Sequence, residues 1–356
     1  MKITSVDVVL VEEPAVNPPF RWRDGVPGSE PDRVEGWLVI GTDEGVVGYG
    51  HSIRGVILED VVGRRLRDEL LGADPLAREY LWHRGWELDR IEEFQIYVQG
   101  AVDTALWDIG GKVANAPVHQ LLGRYRSEIP AYASTVTFET IDDYLEVIDQ
   151  CLELGYPAIK LHAWGDAERD AKLARAVRDH VGPSVPLMFD GSAAYDLLDA
   201  IRLGHALTDC DYLWYEEPMR EFSIGAYSRL AERVPIPLLV GETSDGAHMN
   251  TADFIASGCA VGVRTSTSLR GGITGAMRIA HLADAHLMRA EVHGGGLPHI
   301  HLCMAIRNNS YYESLVITQP AQREWCVDAH GMVHAPEAPG IGWEQLWDER
   351  GRPAGL

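Results

Sequence analysis

At 356 residues the chain is long enough for one large α/β barrel or for two domains of ordinary size. An apolar fraction of 46% and a charged fraction of 24% are those of a soluble globular protein, and the five scattered cysteines, never in a CxxC pair, exclude a disulfide framework and a zinc knuckle. The formal charge of −22 turns away nucleic acid and anionic membrane surfaces, and an anionic substrate would need a local positive centre, such as a divalent metal, against that field.

The N-terminus, MKITSVDVVLVEEP, alternates like a strand and has neither the h-region nor the cleavage site of a signal peptide, so a cytoplasmic location is expected. No apolar stretch nears the roughly 20 residues of a membrane span. A Pro/Arg/Gly-rich loop follows, and then EGWLVIGTDEGVVGYGHS, where TDEG between two apolar runs signals a hairpin. From about residue 55 to 125 the apolar positions recur at helical steps, most clearly in FQIYVQGAVDTALWDIGGKVANAPVHQLLG. Beyond about residue 129 eight short β-rich runs alternate with amphipathic helical segments. That alternation predicts a parallel barrel; an open doubly wound sheet is the other arrangement the pattern allows.

In a barrel, chemistry sits where the strands end. Here strand two ends in Lys160 and His162, strand three in Asp190, strand four in Glu216 and Glu217, strand five in Glu242 and strand seven in His293, while Glu313 lies in strand eight. Each carboxylate of the series Asp190, Glu216, Glu242 follows an apolar run that buries its flanks. Converging carboxylates lose solvation and repel one another unless a cation sits among them. An oxygen-only donor set suits a hard ion, with Mg²⁺ ahead of Ca²⁺ or Mn²⁺. Three separate salt bridges are the plainer alternative. Lys160 and His162, one residue apart on a strand, face the same side.

The motifs GAVDTALWDIGGKVANAPVHQLLG, DGSAAY, YEEP, GET and GGITG, in that order, resemble the enolase superfamily, in its mandelate racemase and muconate lactonizing branch. The resemblance covers essentially the whole chain. It implies a (β/α)7β barrel over residues 126–320, an N-terminal α+β capping domain over 1–125 and a C-terminal tail, 320–356, packing back on the cap. It also implies Mg²⁺ on Asp190, Glu216 and Glu242, abstraction of the proton α to the carboxylate of a small-molecule substrate, and a homo-oligomer. Lys160 matches the lysine that touches the substrate carboxylate. Glu313 matches a glutamate that donates to that carboxylate, which requires it to be protonated by burial.

Two departures shape the expected reaction. The usual Lys-x-Lys is here Lys160-Leu161-His162, so a histidine stands where a lysine base is usual. The aspartate that normally supports His293 is replaced near Ser266, which leaves that imidazole without the group that fixes its tautomer. His293 is therefore expected as an acid rather than a strong base; with His162 taking the α-proton, either His293 or His162 itself is expected to protonate the departing hydroxide. One base and one acid suit dehydration of a sugar acid or diacid to a 2-keto-3-deoxy acid. Cycloisomerisation or epimerisation of a related hydroxy acid or lactone is the alternative, and a non-catalytic metal-stabilised binding protein a remote one. Trp22, Arg21 and Arg23, on the N-terminal loop, are expected to read the distal end of the substrate, where an arginine suits a diacid. Tyr132, with Ser134 and Thr135, is expected to line the pocket. HGGG at 293–296 reads as close backbone approach, and His299-x-His301 as the start of a helix.

Overall fold

The computed structural model describes residues 1–29, 33–94 and 96–356. Its first part comprises strands β1 (Ile3–Glu13), β2 (Arg21–Arg23), β3 (Val26–Pro27), β4 (Arg33–Thr42) and β5 (Val47–Ser52), then helices α1 (Gly55–Val61), α2 (Arg67–Leu70), α3 (Arg78–Glu92), α4 (Ile96–Val113) and α5 (Val118–Leu121). β1, β4 and β5 form an antiparallel sheet in that order, and β2 and β3 form a separate ribbon. The expected hairpin joins β4 to β5, closed by Thr42 Oγ1 donating to Val46 O at 2.9 Å. β5 carries GYG because it presses on α4: a Cβ on Gly50 would collide with the Ala101 carbonyl.

The barrel follows. Its strands are β6 (Glu128–Thr135), β7 (Ala158–His162), β8 (Leu187–Asp190), β9 (Tyr215–Glu216), β10 (Leu238–Val240), β11 (Gly262–Thr265), β12 (Arg289–Val292) and β13 (Tyr312–Val316). Between them run α6 (Ile141–Glu153), α7 (Ala167–Val181), α8 (Leu197–Asp209), α9 (Ile224–Ala231), α10 (Ala247–Ser257), α11 (Gly272–Ala285) and α12 (Leu297–Ala305). The ladder runs β12-β11-β10-β9-β8-β7-β6-β13, all parallel, which is the (β/α)7β order expected. The seam between β12 and β13 is bridged by the turn before β13: Ala290 N donates to Asn308 O and Val292 N to Asn309 Oδ1.

Strand alternation divides the barrel residues cleanly. Leu161, Phe189, Tyr215, Val240 and Val263 point outward into the layer shared with the helices. Tyr132, Ala158, Met188, Trp214 and Leu239 form a separate buried apolar cluster inside the barrel. The polar strand-end residues stand above that plug.

The long α4 signature is a joint between the two parts. Asp103 accepts from Thr274 N (2.8 Å) and Thr274 Oγ1 (2.6 Å), capping the first turn of α11. Asp108 accepts from Tyr49 N and Ile341 N. In the tail, α13 (Trp343–Arg350) lays Trp343 and Trp347 against Trp37 of the cap sheet, at 4.9 and 5.3 Å between rings. The preceding strand β14 (Met332–His334) pairs instead with β6 of the barrel, so the tail ties both parts together. Among the described residues no helix is long and apolar enough to cross a membrane.

Candidate active site

A cavity of about 310 Å³ opens at the C-terminal ends of the barrel strands, lined by His162, Asp190, Glu242, His293, Glu313 and the ribbon residue Trp22 among others. β7 delivers Lys160 and His162 to the same side. The Lys160 ammonium is fully buried and reaches Asp190 Oδ2 (3.1 Å), Glu216 Oε2 (3.0 Å) and Glu313 Oε1 (2.7 Å). Burial works against its charge, but Glu216 and Glu313 outweigh burial and hold it protonated. As placed, Lys160 supports the floor and is not among the residues lining the cavity.

His162 is tightly held. Its Nδ1 lies 2.6 Å from Thr135 O, a pure acceptor, so Nδ1 carries a hydrogen and Nε2 is left as the exchanging atom, 3.2 Å from Asp190 Oδ2. The Trp22 ring covers it at 4.9 Å between centroids. His293, from the other side of the mouth, is half-buried. Its Nδ1 lies 3.2 Å from Glu242 Oε2 and 3.4 Å from Glu313 Oε2 without a well-directed hydrogen bond to either. Ser266, which stands where the usual aspartate would, does not reach His293; its Oγ caps Leu269 N and meets His299 Nε2 at 3.2 Å. The carboxylates beside His293 are thus Glu242 and Glu313, from strands that sequence spacing did not connect to it.

Arg264 is the residue sequence reasoning missed. Val263 faces the helix layer and Thr265 Oγ1 donates to α11 at Ala276 O, so alternation forces Arg264 inward, and that was the available signal. Its buried guanidinium bonds Glu216 Oε1, Glu313 Oε2 (2.9 Å), Tyr132 Oη (3.1 Å) and Val292 O (3.0 Å). This corrects two expectations. Burial raises the Glu313 carboxyl, but Arg264, Lys160 and His293 overcome burial and hold it well below the usual carboxylate range, so Glu313 is ionised rather than a protonated donor. Tyr132 lies fully buried under Arg264 and does not line the cavity, because its place on β6 is one layer too deep. Ser134 and Thr135 are buried beside it and do not line the cavity either. A second missed residue, Glu221, accepts from the backbone N–H of Gly241, Thr243 and Ser244 and so holds the loop that carries Glu242.

Among the described residues Asp190, Glu216, Glu217, Glu242 and Glu313 have Lys160 and Arg264 as the permanent cations within ion-pair distance, so the carboxyl groups outnumber the cations that pair with them. Burial accordingly pushes Glu216, in spite of Arg264 and Lys160, and Glu217 well above the usual carboxylate range. Burial also acts on Asp190 and Glu242, but His162 with Lys160 overrides it at Asp190, and His293 brings Glu242 down to about 2. Ligand atoms of Glu216, Glu242 and His293 gather within 4.8 Å of one another, and Glu242 Oε2 is buried without a hydrogen-bond partner. An acceptor-rich, over-charged pocket with an orphaned oxygen fits a hard divalent cation. The salt-bridge alternative is present as well, at Asp190 and Glu216, and leaves Glu242 Oε2 without a hydrogen bond.

Two family profiles match. "Enolase C-terminal domain-like" covers residues 143–349, and "Mandelate racemase / muconate lactonizing enzyme, N-terminal domain" covers 35–123. The chain belongs to the enolase superfamily, in its mandelate racemase/muconate lactonizing branch. It is similar to the D-galactarolactone cycloisomerase of Agrobacterium fabrum (28% identical, 97% of this chain and 96% of that protein). It is also similar to the L-talarate/galactarate dehydratase of Salmonella typhimurium (28%, 81% and 76%). A D-glucarate dehydratase from Agrobacterium tumefaciens, solved with magnesium, superposes with a TM-score of 0.88 at 29% identity, covering 96% of each chain.

Proposed function

We propose that this protein is a Mg²⁺-dependent lyase that removes the proton α to the carboxylate of a hydroxylated sugar acid and expels the β-hydroxyl as water, leaving a 2-keto-3-deoxy acid. The observation that carries this reading is the unequal holding of two histidines across one cavity, beside a carboxylate cluster with excess negative charge. Asp190, Glu216 and Glu242 would hold the ion. When bound, Mg²⁺ supplies positive charge where the substrate carboxylate becomes more negative as its weakly acidic α-proton leaves.

This chain's own residues do the rest. His162 takes the α-proton at Nε2; its Nδ1–H to Thr135 O keeps the ring aimed, and Asp190 balances the imidazolium formed. Trp22 keeps water off that ring. His293 delivers a proton to the departing hydroxide, with Glu242 and Glu313 beside it to stabilise its charged form. Lys160 and Arg264 hold Glu216 and Glu313 in place from below and keep Glu313 ionised.

The test is a panel of sugar mono- and diacids with Mg²⁺ and with chelator, read by keto-acid formation. Metal-dependent keto acid is expected; α-proton exchange in D₂O with no keto acid from any member would overturn the proposal. Likeness to a cycloisomerase along nearly the whole chain favours one second reading, isomerisation of a lactone. It would yield a product isomeric with the substrate and lose no water. A cytoplasmic homo-oligomer working in carbohydrate-acid breakdown completes the proposed picture, and it rests on the family resemblance.

A further inference from the structure

The cavity contains two guanidinium groups that no carboxylate among the described residues neutralises. Arg23, on the β2–β3 ribbon, donates Nε to Ser192 O at 3.0 Å and an Nη to Asp24 O at 3.1 Å, both uncharged carbonyls. Arg220, on the loop after β9, lines the same cavity, is exposed, and has no hydrogen bond or ion pair among the described residues. Nearby arginines are different. Arg21 pairs with Asp24 (3.2 Å) and Glu139 (2.7 Å), and Arg169 lies 3.7 Å from Asp24. Carboxylates outnumber cations in this chain, 53 to 31, and among the described residues the cavity arginines nonetheless have no carboxylate partner.

Depth separates these arginines from the reacting groups. Lys160, Glu216 and Glu313 are fully buried at the floor, whereas Arg23 is half-buried and Arg220 exposed at the rim. An acid bound with its reacting carboxylate at the floor extends its far end toward the rim. The far end of a sugar monoacid is a neutral hydroxymethyl group, to which a guanidinium offers little. The far end of a diacid is a carboxylate, which the planar fork of an arginine binds through two charge-assisted hydrogen bonds. The 310 Å³ cavity lies at the small end of ligand pockets, suited to an acid of sugar size.

We infer that Arg23 and Arg220 form a clamp for a second carboxylate, so that the substrate is a hydroxylated dicarboxylic acid. The inference rests on the proposed reaction only in taking the first carboxylate to lie at the floor of the same cavity. Both arginines act as specificity-determining residues, away from the bond that breaks.

The experiment compares galactarate with galactonate, and glucarate with gluconate, in two assays. Calorimetry with Mg²⁺ on the His162→Asn protein reads binding without turnover. Keto-acid kinetics on the otherwise intact enzyme separate KM from kcat. We expect each diacid to bind about tenfold or more tightly than its monoacid partner. That ratio should fall toward one with Arg220→Gln or Arg23→Gln and stay intermediate with Arg220→Lys. In the intact enzyme Arg220→Gln should raise KM for the diacid by about tenfold and change kcat much less. Arg220 has no partner to lose, so an unchanged melting temperature checks that the fold is intact. Keto acid from monoacids as readily as from diacids, with a ratio insensitive to both arginines, would overturn the clamp and leave dehydration standing. An arginine-dependent preference for diacids with no keto acid from any of the four would keep the clamp and sink dehydration.

Discussion

The two sides of the barrel mouth hold a histidine each, and they hold it differently. On the β7 side His162 is locked by Thr135 O, faced by Asp190 and roofed by Trp22, so one nitrogen is committed and one is presented. On the β12 side His293 has two carboxylates within 3.4 Å, no directed hydrogen bond from Nδ1 and a quarter of its side chain open to the cavity. β7 and β12 are separated by β6 and β13 in one direction and by four strands in the other, so the rings approach a bound molecule from different sides. Equal holding would suit the reversible proton exchange of a racemase. Unequal holding suits a base that must be aimed and an acid that must follow a leaving group.

The sharpest way to break this contrast is to remove each histidine in turn. His162→Asn should lower keto-acid formation by about 10²–10⁴ and abolish α-proton exchange in D₂O, read by NMR. His293→Asn should lower keto-acid formation comparably while exchange persists. Loss of exchange in both variants to the same degree would put an end to the division of labour. A second test strikes the support shared by both sides. Arg264→Met leaves Glu216 and Glu313 buried without their guanidinium, and urea unfolding should show a loss of about 3–5 kcal/mol, with Arg264→Lys retaining part of it.

A third test concerns the histidines behind the β12 side. Burial, with the charge of His293, takes His299 down to about 3, and burial takes His301 to about 3 as well. Between those values and the ~6.5 of an unfolded histidine, the unfolded chain binds more protons. Each neutral ring therefore contributes stability that is present above pH ~6.5 and is lost as pH falls toward 3, by up to ~1.4 kcal/mol per pH unit. Melting temperature should fall across that window, and less steeply in His301→Asn; an unaltered slope would remove His301 as a cause. The smallest effect belongs to the roof. Trp22→Ala forfeits an aromatic contact of about 0.5–1.5 kcal/mol, so KM should rise a few-fold to about tenfold. The His162-driven exchange seen in His293→Asn should survive it.

Much of the site was legible because strand alternation is a local property. LMFD, LWYE and LLVGE each announce an inward carboxylate at a strand end, and Lys160-Leu161-His162 announces two inward cations or bases, without knowledge of the fold. Arg264 is legible by the same rule, being flanked on its strand by the outward Val263 and Thr265. The charge of Glu313 depends on Arg264: burial alone would protonate it, and Arg264 with Lys160 outweighs burial. Tyr132 lies deeper than its strand position suggests. Alternation gives its direction, while the stagger of the closed sheet sets its depth, and stagger leaves no trace in one strand.

By itself the sequence determined the family, the order of strands, and which side chain each strand turns inward. All of these follow from periodicity and from motifs read within a few residues of one another. The tertiary structure alone decided that Glu242 and Glu313 flank His293, that Trp22 roofs His162 from 140 residues away, and that Arg23 and Arg220 line one cavity. Those pairings come from closing the barrel and seating the cap upon it, which bring together residues whose separation along the chain carries no signal.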